Sequence, residues 1–118
     1  MIVFGMFADW CPHCPKQKQV FLEHSSKYDC KFVMIVDHGG SRSYVDLGSQ
    51  AELHPVDIKG HEMMLIDGAY RQIPTPAQFP SVECRLYDAN ITWDNNDLGA
   101  WLAKMCTEKK PSDAELYL

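Results

Sequence analysis

The sequence has no long apolar run, no excess of basic residues and no low-complexity tract. A helix that crosses a bilayer needs about 20 consecutive apolar residues, and no segment approaches that length. The 11 Lys and Arg residues are scattered among 16 Asp and Glu residues, for a net charge of −5. This balance argues against binding to nucleic acid or to an anionic membrane.

The N-terminus lacks a basic segment that leads into an apolar stretch, so we expect no secretory signal. Five cysteines are an odd number, which argues against a fully disulfide-bonded extracellular framework. We therefore expect a cytoplasmic protein. Its 118 residues are enough for one domain, residues 1–118, with a core of its own.

Two of the cysteines stand three residues apart in Cys11-Pro12-His13-Cys14. The apolar run 2–7 before them is typical of a strand buried on both faces. The residues after them predict a helix over 12–27, whose first turn tolerates proline. A strand, a Cys-x-x-Cys pair and a helix in this order favour a redox-active dithiol. The alternative is half of a structural zinc site, but the sequence offers no second ligand pair for four-coordinate zinc.

The rest of the chain predicts a mixed α/β domain. An apolar strand over 32–36 completes a strand–helix–strand unit, so its two strands should be parallel. Residues 38–60 show no period, and we expect a long connection there with one helical turn around 49–53. Residues 61–70 fit a helix or a strand, and we predict a helix as the crossover to the next strand. The remaining expectations are an irregular proline-rich segment at 73–80, a strand at 81–87, a turn at 88–90, a return strand at 91–93 and a helix at 96–107 capped by Asp94 or Asn95.

The order of these predicted elements, together with the motifs that they carry, resembles that of the thioredoxin superfamily. The segment from Phe7 to Cys11 resembles the approach to the thioredoxin active site, and Cys11-Pro12-His13-Cys14 is similar to the dithiol of DsbA-type oxidases. Phe79-Pro80 stands where that family has a cis-proline loop. The family's buried acid on the first of these strands is replaced here by Gly5.

The resemblance implies a thioredoxin fold with a roughly four-stranded mixed sheet flanked by helices. Since the chain starts at the active-site strand, the layout is similar to short, glutaredoxin-like members that lack the N-terminal strand–helix extension, as bacteriophages often encode. The implied activity is thiol–disulfide exchange that reduces protein disulfides, with no cofactor beyond the redox-active disulfide of Cys11 and Cys14. The implied partners are disulfide-containing proteins and a recycling system, either a thioredoxin-reductase-like enzyme or glutathione, and the protein would be a monomer.

Each residue of the motif has an expected role. Cys11 lies just before the helix, where free amides and the helix dipole favour negative charge, so it should be an exposed nucleophile. Cys14 lies nearer the interior, should stay protonated longer and should release the product from a mixed disulfide. His13 would stabilise a thiolate. The predicted substrate-binding residues are Trp10, Pro12, Phe79 and Pro80, with Pro80 (or else Pro76) in a cis bond that exposes backbone to an extended substrate.

Two other classes of function stay open. In the first, the fold is a non-catalytic interaction module whose segment 38–60 contacts a partner. In the second, Cys11 of two chains holds zinc or an iron–sulfur cluster in a dimer. The other three cysteines, Cys30, Cys84 and Cys106, are predicted to be packed free thiols, because free cysteine is a common small core residue. Oxidation of Cys30 and Cys106, which lie at the ends of elements, is the alternative.

Overall fold

The computed structural model describes residues 1–75, 79–86, 89–92 and 97–106. Within these ranges the chain forms nine strands and two helices. In chain order they are β1 (Ile2–Ala8), α1 (Cys14–Ser25), β2 (Lys31–Asp37), β3 (Arg42–Asp46), β4 (Ala51–Glu52), β5 (Val56–Ile58), β6 (His61–Ile66), β7 (Ala69–Gln72), β8 (Ser81–Leu86), β9 (Ala89–Thr92) and α2 (Leu98–Met105).

The described strands form a mixed sheet of six and a second sheet of three. The larger sheet has the order β4-β3-β2-β1-β8-β9 and the smaller one the order β5-β6-β7. Strand β1 is parallel to β2, as predicted, and antiparallel to β8. The expectation of about four strands is wrong, because the predicted connection 38–60 and the segment after it add strands of their own.

The large sheet has a separate core on each face. Helices α1 and α2 cover one face, where Phe7, Phe21 and Leu102 are fully buried together. The three-stranded sheet covers the other face, and Met64 and Ile66 of β6 pack against Phe4 and its neighbours. Because side chains alternate along a strand, β1 serves both cores and all seven of its residues are buried.

The segment 38–60 is not the long connection with a helical turn that the sequence predicts. It contains β3, which pairs antiparallel with β2, the short strand β4, and β5. A tight turn reverses the chain after β2: the His38 amide donates to the Ser41 carbonyl at 2.8 Å, and Gly39 has φ +95°. Strands of two to five residues are too short to show a clear period, so sequence patterning misses them.

The helix predicted over 61–70 is also wrong, since β6 and β7 form a hairpin there. The turn residues Asp67 and Gly68 both have positive φ, 51° and 80°, as a two-residue type I′ turn requires. Asp-Gly between apolar runs is a strong hairpin signal, so the sequence did contain the correct answer. Met64 and Ile66 face the core, whereas Leu65 between them is exposed.

The other two predicted helices exist but are shorter. Helix α1 begins and ends two residues inside the predicted 12–27, and α2 occupies the middle of the predicted 96–107. The N-cap of α2 is Asp97, whose carboxylate accepts a hydrogen bond from the Ala100 amide at 3.1 Å; the predicted caps Asp94 and Asn95 lie outside the described residues. No helix in the described part of the chain is long and apolar enough to cross a membrane.

Cys30 and Cys106 are joined in a disulfide, with Cα atoms 5.9 Å apart. The prediction that they are free thiols is therefore wrong. The two residues are 76 positions apart, and they meet because α2 packs beside α1, a contact that sequence spacing does not reveal. The side chain of Cys84 lies outside what the structure describes.

Candidate active site

Strand β1 carries the chain directly into the Cys-x-x-Cys loop. The Cys11 amide donates to the Ala8 carbonyl and the Cys14 amide donates to the Cys11 carbonyl, each at 3.2 Å. His13 is the N-cap of α1 and Cys14 is its first residue. The loop is thus a tight turn that sets both cysteines at the N-terminal end of the helix, where unpaired amides favour negative charge.

Both motif cysteines are free thiols, and both are buried. Cys11 is 8% exposed and Cys14 3%. Cys11 is thus the more accessible of the two, but the expectation of an exposed nucleophile is wrong, because Cys11 packs in the core between the helices and the large sheet.

The pKa of Cys14 is raised from the ordinary value of 9.0 to about 11. Burial is the main cause, and a side-chain hydrogen bond with Cys11 adds to it. The Ala8 amide, which donates to Cys14 Sγ at 3.4 Å, acts in the opposite direction. Cys14 is therefore protonated at neutral pH.

The loop before β8, the strand that pairs with β1, lies next to the dithiol. The Phe79-Pro80 peptide bond is cis, which confirms the prediction for Pro80; Pro76 lies outside the described residues. The Cys11 thiol donates to the Phe79 carbonyl at 3.6 Å. This contact joins two segments that are 68 residues apart into one site.

An exposed aromatic surface flanks the sulfurs. Trp10 is 59% exposed, and its ring meets that of Phe79 edge-on with centroids 5.8 Å apart. Pro12 and His13 are exposed beside it. The predicted substrate-binding residues thus lie beside Cys11, and the roles predicted for Trp10, Pro12, Phe79, Pro80 and His13 remain predictions.

Gly5 leaves no room for a side chain on β1. A Cβ atom at this position would lie 2.7 Å from the ring of Phe21, well inside van der Waals contact. Any larger residue would push the ring out of the core between α1 and the sheet. A buried acid is therefore excluded at this place on the strand.

Sequence reasoning missed a hydrogen-bonded chain of three polar side chains beside the motif. His38 contacts Asp9 Oδ2 through Nδ1 and Ser43 Oγ through Nε2, each at 2.6 Å. The Asp9 amide also donates to the Asp37 carbonyl at 3.0 Å. The available signal was topological: Asp9 and His38 each follow the end of one of two parallel neighbouring strands, and such ends meet at one edge of a sheet.

A cavity of about 340 Å³ opens beside Cys14. Its lining includes Ala8, Asp9, Cys14, Pro15, Lys18 and Val36, so it connects the inner sulfur with the end of β1. In the described part of the chain, no group of three or more His, Cys, Asp or Glu residues could hold a metal ion.

No protein-family model, curated protein or solved structure matches this chain.

Proposed function

We propose that this protein is a thiol–disulfide oxidoreductase of thioredoxin fold, in which Cys11 attacks a protein disulfide and Cys14 releases the product. One observation carries the proposal: two free thiols lie at the start of a helix, and the thiol of Cys11 contacts the carbonyl of the residue before a cis proline. The thioredoxin fold draws support from the parallel β1–β2 pair, the antiparallel β8–β9 pair and the helices packed on one face.

The exchange has two displacement steps. The Cys11 thiolate attacks one substrate sulfur, the substrate S–S bond breaks, and the leaving sulfur departs as a thiolate that takes a proton from water. Cys14 then loses its proton and attacks Cys11 Sγ, which forms the Cys11–Cys14 disulfide and releases the second substrate thiolate. Two electrons pass from the dithiol to the substrate, and a thioredoxin-reductase-like enzyme or glutathione would return them.

Burial assigns the two steps to different sulfurs. The substrate meets Cys11 first, since Cys14 is more deeply buried and its pKa is raised to about 11. Once Cys11 is bonded to substrate, it no longer carries a thiol or a charge that holds the proton on Cys14. The inner thiol therefore becomes the stronger nucleophile when it is needed.

Substrate recognition would come from the surface around the sulfurs. The exposed ring of Trp10 and the edge-on ring of Phe79 offer flat apolar contact with little sequence preference. The backbone at Phe79 would pair with an extended segment of the substrate that presents its disulfide to Cys11. Such a site suits exposed loops of many proteins rather than one small molecule.

The test is reduction of insulin by dithiothreitol, followed by the precipitation of its free B chain. We expect the wild-type protein to accelerate the reaction and Cys11→Ser to lose the acceleration. Cys84→Ser is the matched control, because it removes a cysteine outside the dithiol and should keep the activity.

Retention of activity in Cys11→Ser would remove Cys11 from the mechanism and overturn the proposal. A wild-type protein without activity, but with stoichiometric zinc or iron when freshly purified, would favour the metal-binding dimer. Binding of a partner that survives Cys11→Ser/Cys14→Ser, again without activity, would favour the interaction module.

A further inference from the structure

The second displacement needs an acceptor for the proton of Cys14. Attack requires the thiolate, and the thiol is 3% exposed, so bulk water reaches it poorly. The cavity of about 340 Å³ beside it is the opening that the structure provides. A cavity of this volume has room for several water molecules, each of which takes about 30 Å³ in the liquid.

Among the described residues, Asp9 and Lys18 are the ionisable side chains, besides Cys14 itself, that line this cavity. The Asp9 carboxylate is 58% exposed, so a proton that reaches it passes on to solvent. Its Oδ2 atom is held by His38. Its Oδ1 atom has no hydrogen-bond partner among the described residues, and is therefore free to bind water in the cavity.

Two contacts hold this carboxylate in place. The Asp9 amide donates to the Asp37 carbonyl, which anchors the end of β1 to the end of β2. The His38 ring is fixed in turn by Ser43 on its far side at 2.6 Å. An imidazole between a carboxylate and a hydroxyl can itself hold a proton. The Asp9 carboxylate and the His38 ring therefore offer two places for the proton of Cys14.

We propose that the Asp9–His38 pair accepts the proton of Cys14, through water in this cavity, while Cys14 attacks the mixed disulfide. The inference rests on the proposed function. The S–H bond of Cys14 breaks and its proton moves to the pair, the Cys11–Cys14 bond forms, and the bond from Cys11 to the substrate sulfur breaks. The substrate leaves as a thiolate, and the pair then gives its proton to solvent. Ser43 is a positioning residue that acts through His38.

The other charged groups near the cavity are consistent with this assignment. On α1, Lys18 lines the same cavity and carries a positive charge. At the end of β2, Asp37 is already engaged by Arg42 Nε at 3.1 Å and by the Gly39 amide at 2.9 Å. On the motif itself, His13 is exposed and does not line the cavity.

The test uses the reaction of the reduced protein with dithiobis-nitrobenzoate. Every variant also carries Cys84→Ser, so that the thiols counted are those of Cys11 and Cys14. Attack by Cys11 releases the first thionitrobenzoate, and attack by Cys14 on the mixed disulfide releases the second. We expect Asp9→Asn to slow the second phase by about 100-fold at neutral pH, the lower end of what a positioned general base contributes, and to leave the first phase unchanged. His38→Gln should slow the second phase by a smaller factor, because it removes the partner that holds Asp9 Oδ2 but leaves the carboxylate in place.

The pH profile separates a proton acceptor from a merely structural residue. In Asp9→Asn the second phase should rise continuously with pH, because hydroxide replaces the carboxylate, and should approach the wild-type rate in alkali. Glu52→Gln is the matched control, since it removes an exposed carboxylate on β4, and both of its phases should match the wild type.

Each outcome decides between the two proposals. If Cys11→Ser abolishes the first phase but Asp9→Asn and His38→Gln leave the second phase at the wild-type rate and pH dependence, the proton-acceptor role is wrong and the dithiol function stands. If Cys11→Ser leaves the first phase intact, the dithiol function itself is wrong. If Asp9→Asn does not fold, the second phase of His38→Gln decides alone.

Discussion

Removal of the Cys30–Cys106 disulfide should cost this protein a large part of its stability. The bond joins residues 76 positions apart, so it strongly restricts the unfolded chain. The loop-closure relation gives about 4.5 kcal/mol at 25 °C for a loop of this length. With an unfolding entropy of about 2.1 cal/mol/K per residue, the Tm of the 118-residue chain should fall by about 15–20 °C.

The measurement starts from Cys11→Ser/Cys14→Ser, in which the dithiol does not respond to reductant. Thermal and urea unfolding, followed by circular dichroism, are compared with and without the further changes Cys30→Ser and Cys106→Ser. The difference in free energy of unfolding should be about 4.5 kcal/mol. A phosphine reductant should lower the Tm of the parent to that of the variant and leave the variant unchanged.

Two results would refute this reasoning. Equal unfolding free energies without reductant would show that the two cysteines are not bonded in the folded protein. A large difference that persists in reductant would show that the serines disturb packing near α2, and that loop closure is not the cause.

Two further predictions concern the packing and charge of the sheet. Gly5→Ala should lower the free energy of unfolding in urea by about 1–3 kcal/mol, because the added Cβ would lie 2.7 Å from the Phe21 ring. Gly40→Ala is the control: nothing lies within 4 Å of the added Cβ, so its stability should match that of the wild type. Asp46 is buried, but the Lys31 ammonium at 2.8 Å lowers its pKa on balance. Above pH ~4, the free energy of unfolding of the wild type should therefore exceed that of Asp46→Asn by about 1–2 kcal/mol. This difference should disappear as the pH falls through the lowered pKa of Asp46. A gap that does not change between pH ~2 and ~7 would contradict this pairing.

Long segments with a simple pattern could be predicted well. Strands β1 and β2 are continuous apolar runs, and α2 has its apolar side chains at helical spacing, so local composition was sufficient. The β5–β6 and β6–β7 hairpins were missed for a different reason, whereas the antiparallel return strand after β8 was predicted. Asp67-Gly68 and Lys59-Gly60 take positive φ at both positions, and this turn chemistry indicates the two hairpins better than the period of the flanking residues does.

The candidate site was predictable only where its residues are neighbours in the chain. The spacing of Cys11 and Cys14 places two sulfurs at the start of a helix whatever the rest of the protein does. Pro80 was found through a family resemblance rather than from local pattern. Asp9, His38 and Ser43 belong to three different segments, and no spacing connects them.

The amino-acid order alone thus specified the dithiol, the strand that precedes it and the helix that follows, because dihedral preferences and contacts within one or two turns are local properties. Strand pairing brought Phe79 to Cys11, placed His38 between Asp9 and Ser43, and opened a cavity behind Cys14; helix packing set Cys30 against Cys106. These contacts depend on the register of paired strands and on which helix faces meet, and a slip of one residue would turn each side chain to the opposite face. They are therefore properties of the assembled fold and not of any segment of the chain.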